Sequence, residues 1–220
     1  MTGRAELPAS SLSAGEVYRL MTDLVAPRPI AWISSADAQG RRNLAPFSYF
    51  QAVCSQPPMV VVSAAWHADG RMKDTLANAL ERREFVVNHV REAQAAAMNA
   101  TSAPYAHEVS EWEVCGIEAE PALRVAPPRV AGALACLECR LVHALPLGRG
   151  PTGAPSSTLL VAEVVHFAVA PELLRRDRKG RLAAIDPDRL DAVGRLGGIA
   201  YTRTRDRFEL PRPDPPEGTP

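Results

Sequence analysis

The chain has 220 residues, 46% of them hydrophobic and 23% charged, which suits one large globular domain better than two small ones. Its 25 basic residues balance 25 acidic ones, so it lacks the electrostatic footprint of a nucleic-acid or anionic-membrane binder. No apolar run approaches the roughly 18 residues of a membrane span. The first 30 residues lack the pattern of a signal peptide, and four cysteines without a secretory signal point to a reducing cytoplasm.

Residues 1–12 read as a loose N-terminal segment. Ser13 to Glu16, "SAGE", fits a capping box, in which a hydroxyl and a carboxylate satisfy free N–H groups at a helix start. Val17, Leu20, Met21 and Leu24 follow at helical spacing as an apolar stripe. Pro27 and Pro29 end that helix. Ile30 to Ser35 is a short apolar strand, Asp37 to Gly40 is turn chemistry, and the chain returns antiparallel through Asn43 to Val53. Pro46 interrupts that return, which places it at an edge or a bulge.

A strand is expected over Met59–Ala64, a helix over about Asp74–Arg82, a strand over Glu84–Asn88 and a short helix over Arg91–Asn99. "SEWEVCG" reads as one helical turn. Two long strands, Gly132–Leu147 and Ser157–Val169, close the core. The stretch "VGRLGGIAYTRTRDRFEL" has no clear period and reads as an extended loop around the body. Five of the last ten residues are Pro, so Pro211–Pro220 reads as a disordered tail. Strands at hairpin spacing with only short helices between them favour a mainly antiparallel barrel over a doubly wound sheet.

Several spellings mislead. "GRGPTG", Gly148 to Gly153, matches a dinucleotide fingerprint, but Pro151 and Pro155 and then another strand follow it, so it reads as a hairpin loop. "CLEC", Cys136 to Cys139, lies in a strand, where residues three apart point to opposite faces and cannot share a metal. The histidines form no metalloprotease cluster, and neither G-x-S-x-G nor a P-loop is present. "RRDRKGR", Arg175 to Arg181, is most simply a solvated loop. If the chain is an enzyme, a cofactor carries the reaction and the protein mainly orients it.

Two stretches carry that idea. "GRMKDT", Gly70 to Thr75, puts positive charge and donors at a strand-to-helix junction. The first N–H groups of a helix lack internal partners and sit at the positive end of its dipole. Lys73 adds a charge and Thr75 a hydroxyl, a combination suited to phosphate, with each charge-assisted hydrogen bond worth roughly 1.5–3 kcal/mol. The plainer alternative is that Asp74 or Thr75 caps the helix and Lys73 is solvated. "NLAPFSYF", Asn43 to Phe50, is a Pro-kinked strand whose freed backbone groups can meet the edge of a flat heteroaromatic ring; the plainer alternative is a bulged edge strand.

In order along the chain, "PRPIAWISS", "NLAPFSYF", "PPMVVVS", "RMKDT", "EFVVN", "MNATSA", "ECRLV", "AEVVHF" and "GRLGGIAY" resemble the flavin reductase-like family of FMN-binding split barrels, over about residues 13–210. The resemblance implies a six-stranded antiparallel Greek-key split β-barrel with short peripheral helices, a homodimer, and FMN in a cleft near the dimer interface. It implies that Lys73, Asp74 and Thr75 line the phosphate end. Asn43, Ala45, Pro46, Phe47 and Ser48 would flank the isoalloxazine ring, and Ser63 would close the pocket. Arg28, Arg195 and Tyr201 are further cofactor-binding candidates that could serve the partner's site. No catalytic side chain and no metal ligand is assigned.

The implied activity is hydride transfer from NADH or NADPH to flavin, with reduced flavin passing to a partner monooxygenase or another acceptor. Ser48 or a nearby backbone N–H would stabilise charge on the reduced ring. The alternatives are a flavoredoxin-like FMN-binding electron carrier without a nicotinamide reaction, and a barrel for another ligand or a protein partner. Two loops fit less well: "GRGPTGAPSS", Gly148 to Ser157, and "WHADG", Trp66 to Gly70, both longer than the connections require.

Overall fold

The computed structural model describes residues 3–214; Met1, Thr2 and the last six residues of the expected tail lie outside the described residues. Residues 211–214 are exposed and without regular structure.

Seven strands form the main sheet: β1 (Ala31–Ala36), β2 (Arg42–Phe47), β3 (Phe50–Ser55), β4 (Pro58–Ala65), β5 (Glu84–Asn88), β6 (Ala135–Leu147) and β7 (Ser157–Val169). Their order is β2-β1-β5-β6-β7-β4-β3, and every neighbouring pair is antiparallel. The two edge strands, β2 and β3, are consecutive in the chain and joined only by Ser48 and Tyr49. That link spans at most roughly 11 Å, whereas seven flat strands would span roughly 29 Å. The sheet must therefore curl until its edges approach. At the seam the Ser63 N–H of β4 donates to the Tyr49 carbonyl at 2.8 Å.

The sheet has seven strands, where the resemblance implied six. The stretch read as one strand from Asn43 to Val53 is two. Its first half pairs with β1 and its second half with β4, so the chain changes partners at Ser48–Tyr49. Pro46 sits on edge strand β2, where its missing N–H breaks no ladder.

The barrel interior is built by alternation. Val60, Val62 and Ala64 of β4 point inward with Phe85, Val87, Leu141 and Leu160, and helix α2 (Asp74–Arg82) adds Leu76 and Ala79, three residues apart on one face. A second cluster packs Trp32 and Leu44 beneath α3 (Ala95–Ala100) and α4 (Glu111–Val114), with Met98 and Trp112 contributed by those helices. The segment expected as a helix from Arg91 starts as a 3₁₀ turn, Glu92–Gln94, before α3. Gly148 to Ser156 is the loop of the β6–β7 hairpin.

Cys136 and Cys139 lie on opposite faces of β6, one packed with Val86 and Val125, the other in the barrel interior. Burial pushes the Cys136 thiol up to about 12 and raises that of Cys139 as well.

Helix α1 (residues 14–24) has the expected capping box: the Ser13 hydroxyl accepts from Glu16 N–H, and the Glu16 carboxylate accepts from Ser13 N–H. Its apolar stripe is split: Val17 and Leu20 are half-buried, while the rest of that side is open to solvent. Tyr18, Met21 and Leu24 are 65%, 51% and 77% exposed, and only Thr22 is buried. The late segment expected as loop contains two three-residue strands, Val193–Arg195 and Tyr201–Arg203, which form a small sheet with Arg28–Pro29.

Candidate functional site

The expected site residues fall into two groups, one at each end of β2. The first surrounds the start of α2. Lys73 is the N-cap in extended conformation, with no side-chain cap, and the first intrahelical bond runs from Ala77 N–H to the Lys73 carbonyl. The N–H groups of Asp74, Thr75 and Leu76 thus have no helical acceptor. The Lys73 side chain is exposed and joins no ion pair among the described residues. The Asp74 carboxylate binds His107 Nδ1 at 2.7 Å.

Thr75 is 2% exposed, and its hydroxyl lies 2.7 Å from the side-chain amide of Asn43. With that amide turned so that its oxygen accepts from Thr75, its nitrogen donates to Glu111 Oε1 at 3.3 Å. The second Glu111 oxygen accepts from the Leu44 N–H at 3.0 Å. Burial pushes the Glu111 carboxyl above its ordinary value. Asn43 and Thr75 therefore lock β2, α2 and α4 together. The cleft left between Asn43, Glu111 and His107 is about 10 Å³, room for roughly one water.

The approach to α2 is buttressed. Trp66 donates through its indole N–H to Thr158 Oγ1 at 2.9 Å. Gly70 has φ +85°, and a Cβ there would lie 2.5 Å from Thr152 Oγ1. The two overlong loops of the sequence thus pack against one another, and glycine is required at their contact.

The second group lines a cavity of about 210 Å³ at the barrel seam. Arg28, Pro46, Phe47, Ser48, Arg195 and Tyr201 all border it. Ala45 instead packs against the barrel core, and Ser63 is half-buried with its N–H bound to Tyr49. Sequence reasoning missed Tyr18 of α1 and Asn99 and Ser102 around the end of α3, which also line the cavity. The motif "MNATSA" marked the last two without giving them a role.

Arg28 is 6% exposed. It donates to the carbonyls of Thr22, Val25 (2.6 Å) and Leu196 (2.9 Å), and at 3.4 Å to Ser48 Oγ. Arg195 stands opposite it in the small sheet, with its guanidinium 4.5 Å from the centre of the Tyr201 ring. The Tyr201 hydroxyl donates to Asn99 Oδ1 at 3.1 Å.

A family model described as flavin reductase like domain matches residues 24–185. Nitrilotriacetate monooxygenase component B from Bacillus cereus is 35% identical, with a TM-score of 0.87 over 96% of this chain and 100% of that one. The 2-nitrobenzoate 2-nitroreductase of Pseudomonas fluorescens is 32% identical, with a TM-score of 0.80 over 95% and 96%. The split-barrel domain protein of Shewanella frigidimarina, 20% identical, has a TM-score of 0.76 over 93% and 96%, and shares the fold.

Proposed function

The chain belongs to the flavin reductase-like family, and from that premise we propose that it is an FMN-binding oxidoreductase that takes a hydride from NADH or NADPH. The observation that carries this reading is the edge strand β2, which joins a helix N-terminus free for phosphate to a cavity walled by aromatic side chains. The residues fit the group at both ends. Three unpartnered N–H groups and the exposed Lys73 ammonium suit a phosphate. The Leu44 N–H faces away from β1, toward Glu111; Pro46, two residues on, shares that outward edge, so its carbonyl is free of the ladder.

Bound FMN would supply the two-electron chemistry. The chain's own part is positioning. Lys73 and the backbone of Asp74 and Thr75 hold the phosphate end, while the Thr75 hydroxyl fixes Asn43. Pro46 presents its carbonyl to the ring edge, Ala45 and Phe47 flank it with their own backbone groups held in the β1 ladder, and Ser63 holds the Tyr49 carbonyl at the seam. Ser48 accepts from Arg28, which leaves its own hydroxyl proton free to donate into the cavity and to stabilise negative charge there.

The same reading makes the protein a homodimer that works in the cytoplasm. The α1 stripe and Ile199, 93% exposed, flank the cavity mouth at Tyr18 and Gly198, where a second copy would cover them. The functional unit is residues 13–210. Similarity to a monooxygenase component supports a partner that consumes reduced flavin. No helix among the described residues is long and apolar enough to cross a membrane.

Steady-state oxidation of NADH and NADPH, with and without added FMN, tests the reading. Turnover that requires FMN is the expected result. FMN binding without nicotinamide oxidation would replace it with the electron-carrier alternative.

A further inference from the structure

Arg28 and Arg195 are register partners in the small antiparallel sheet, and both line the seam cavity. Like charges directly opposite one another on a sheet are destabilising. Neither joins an ion pair with a carboxylate among the described residues. No Asp or Glu lines the cavity. The nearby Asp23 carboxylate lies against Gly197 instead, outside the lining.

Arg28 is more than nine-tenths buried, and all its acceptors are neutral. The carbonyls of Thr22 and Val25 at the end of α1 favour a cation and account for two of its bonds. They satisfy the two Nη1 hydrogens without neutralising the charge. At least one Nη2 hydrogen has no acceptor among the described residues, since a guanidinium nitrogen of this type carries two and only one bond leaves it. A buried cation facing a second cation needs an anion.

We propose that the seam cavity binds the carboxylate of a monocyclic aromatic substrate, held between Arg28 and Arg195. The planar fork of a guanidinium matches a carboxylate. Phe47, Tyr49 and Tyr201 supply aromatic walls. At about 210 Å³ the cavity is smaller than the roughly 300–1,000 Å³ of pockets for drug-sized ligands, so it takes one ring and not a dinucleotide.

The same oxyanion chemistry has a second source, the phosphate of FMN. Asn43, which touches Thr75 at the start of α2, and Ser48, which touches Arg28, are five residues apart, roughly 17 Å of extended chain. One phosphate cannot occupy both places, and the start of α2 offers it free N–H groups.

The test is calorimetric titration of the full chain with benzoate and with its neutral isostere benzamide, first without added flavin. Saturable benzoate binding, with benzamide about tenfold weaker, is expected. Arg195→Gln should abolish that preference. Arg28→Lys, checked for folding by a thermal melt, should weaken benzoate and leave benzamide little changed; if it does not fold, Arg195→Gln still decides. FMN and riboflavin should leave benzoate bound; displacement by both alike would seat the flavin ring in the cavity and overturn the proposal. Absent saturation, equal binding of the two probes, or an unchanged preference in Arg195→Gln would overturn the proposal. So would displacement of benzoate by FMN but not by riboflavin, which would seat the phosphate here. Benzoate binding by a protein that binds no FMN would end the flavin reading and leave this one standing.

Discussion

The Thr75 hydroxyl and the Asn43 side chain meet 2.7 Å apart in a place where Thr75 is 2% exposed. A residue that looks from its position like a ligand for phosphate is, in its side chain, a strut between helix and edge strand. Thr75→Val should therefore destabilise the protein by about 1–3 kcal/mol, because the Asn43 oxygen loses its buried donor. Thermal denaturation should show a Tm several degrees lower. An unchanged Tm with lost FMN affinity would mean that the hydroxyl serves the ligand directly.

Glu111 is buried against the same strut, and burial holds its carboxyl above the ordinary value. A group whose folded-state pKa is raised contributes stability fully below its unfolded value, near 4.5, and loses it as pH rises through the folded value. Glu111→Gln keeps an acceptor for Leu44 N–H and removes the titration. The variant should gain in Tm relative to the parent as pH rises from about 4.5 toward neutrality. Parallel Tm–pH curves would contradict this.

The two cysteines of "CLEC" should behave as buried apolar groups. With the Cys136 thiol near 12, a thiol reagent at pH 8 should modify exposed Cys54 and half-buried Cys115 in the native protein. Cys136 and Cys139 should react only after denaturation. Cys136→Ser should leave zinc content unchanged at zero. Stoichiometric zinc in the parent, lost in the variant, would overturn the assignment.

Leu24 is 77% exposed on α1. In an isolated chain, Leu24→Glu should change stability by no more than about 0.5 kcal/mol. In a dimer closed over the α1 stripe, it buries a charge. Light scattering should show a dimer for the parent and a monomer for Leu24→Glu. A dimer of unchanged affinity in the variant would place the interface elsewhere.

Much of the fold could be read from local pattern. The α2 helix and the strands β5 and β7 lie where periodicity placed them, because each is long or strongly apolar enough to show its period. The seven-strand count could not be read that way, since Asn43–Val53 has one continuous β character and only tertiary pairing divides it at Ser48–Tyr49. The sheet around Arg28 escaped notice for a similar reason: strands of two or three residues carry no period. At the site, motif order brought Arg28, Ser48, Arg195 and Tyr201 to one cavity, although they lie up to 173 positions apart in the chain. Tyr18 stayed hidden because it looks like any exposed helical aromatic until the cavity beside it is formed.

The central claim is that the start of α2 holds the phosphate of FMN. Calorimetric titration of the parent and of Lys73→Ala with FMN and with riboflavin addresses it most directly. The account predicts saturable FMN binding, riboflavin weaker, and a loss of about tenfold in FMN affinity in the variant, with riboflavin affinity and Tm unchanged. The absence of heat and of saturation with FMN up to millimolar concentration, or equal FMN affinity in parent and variant, would contradict it.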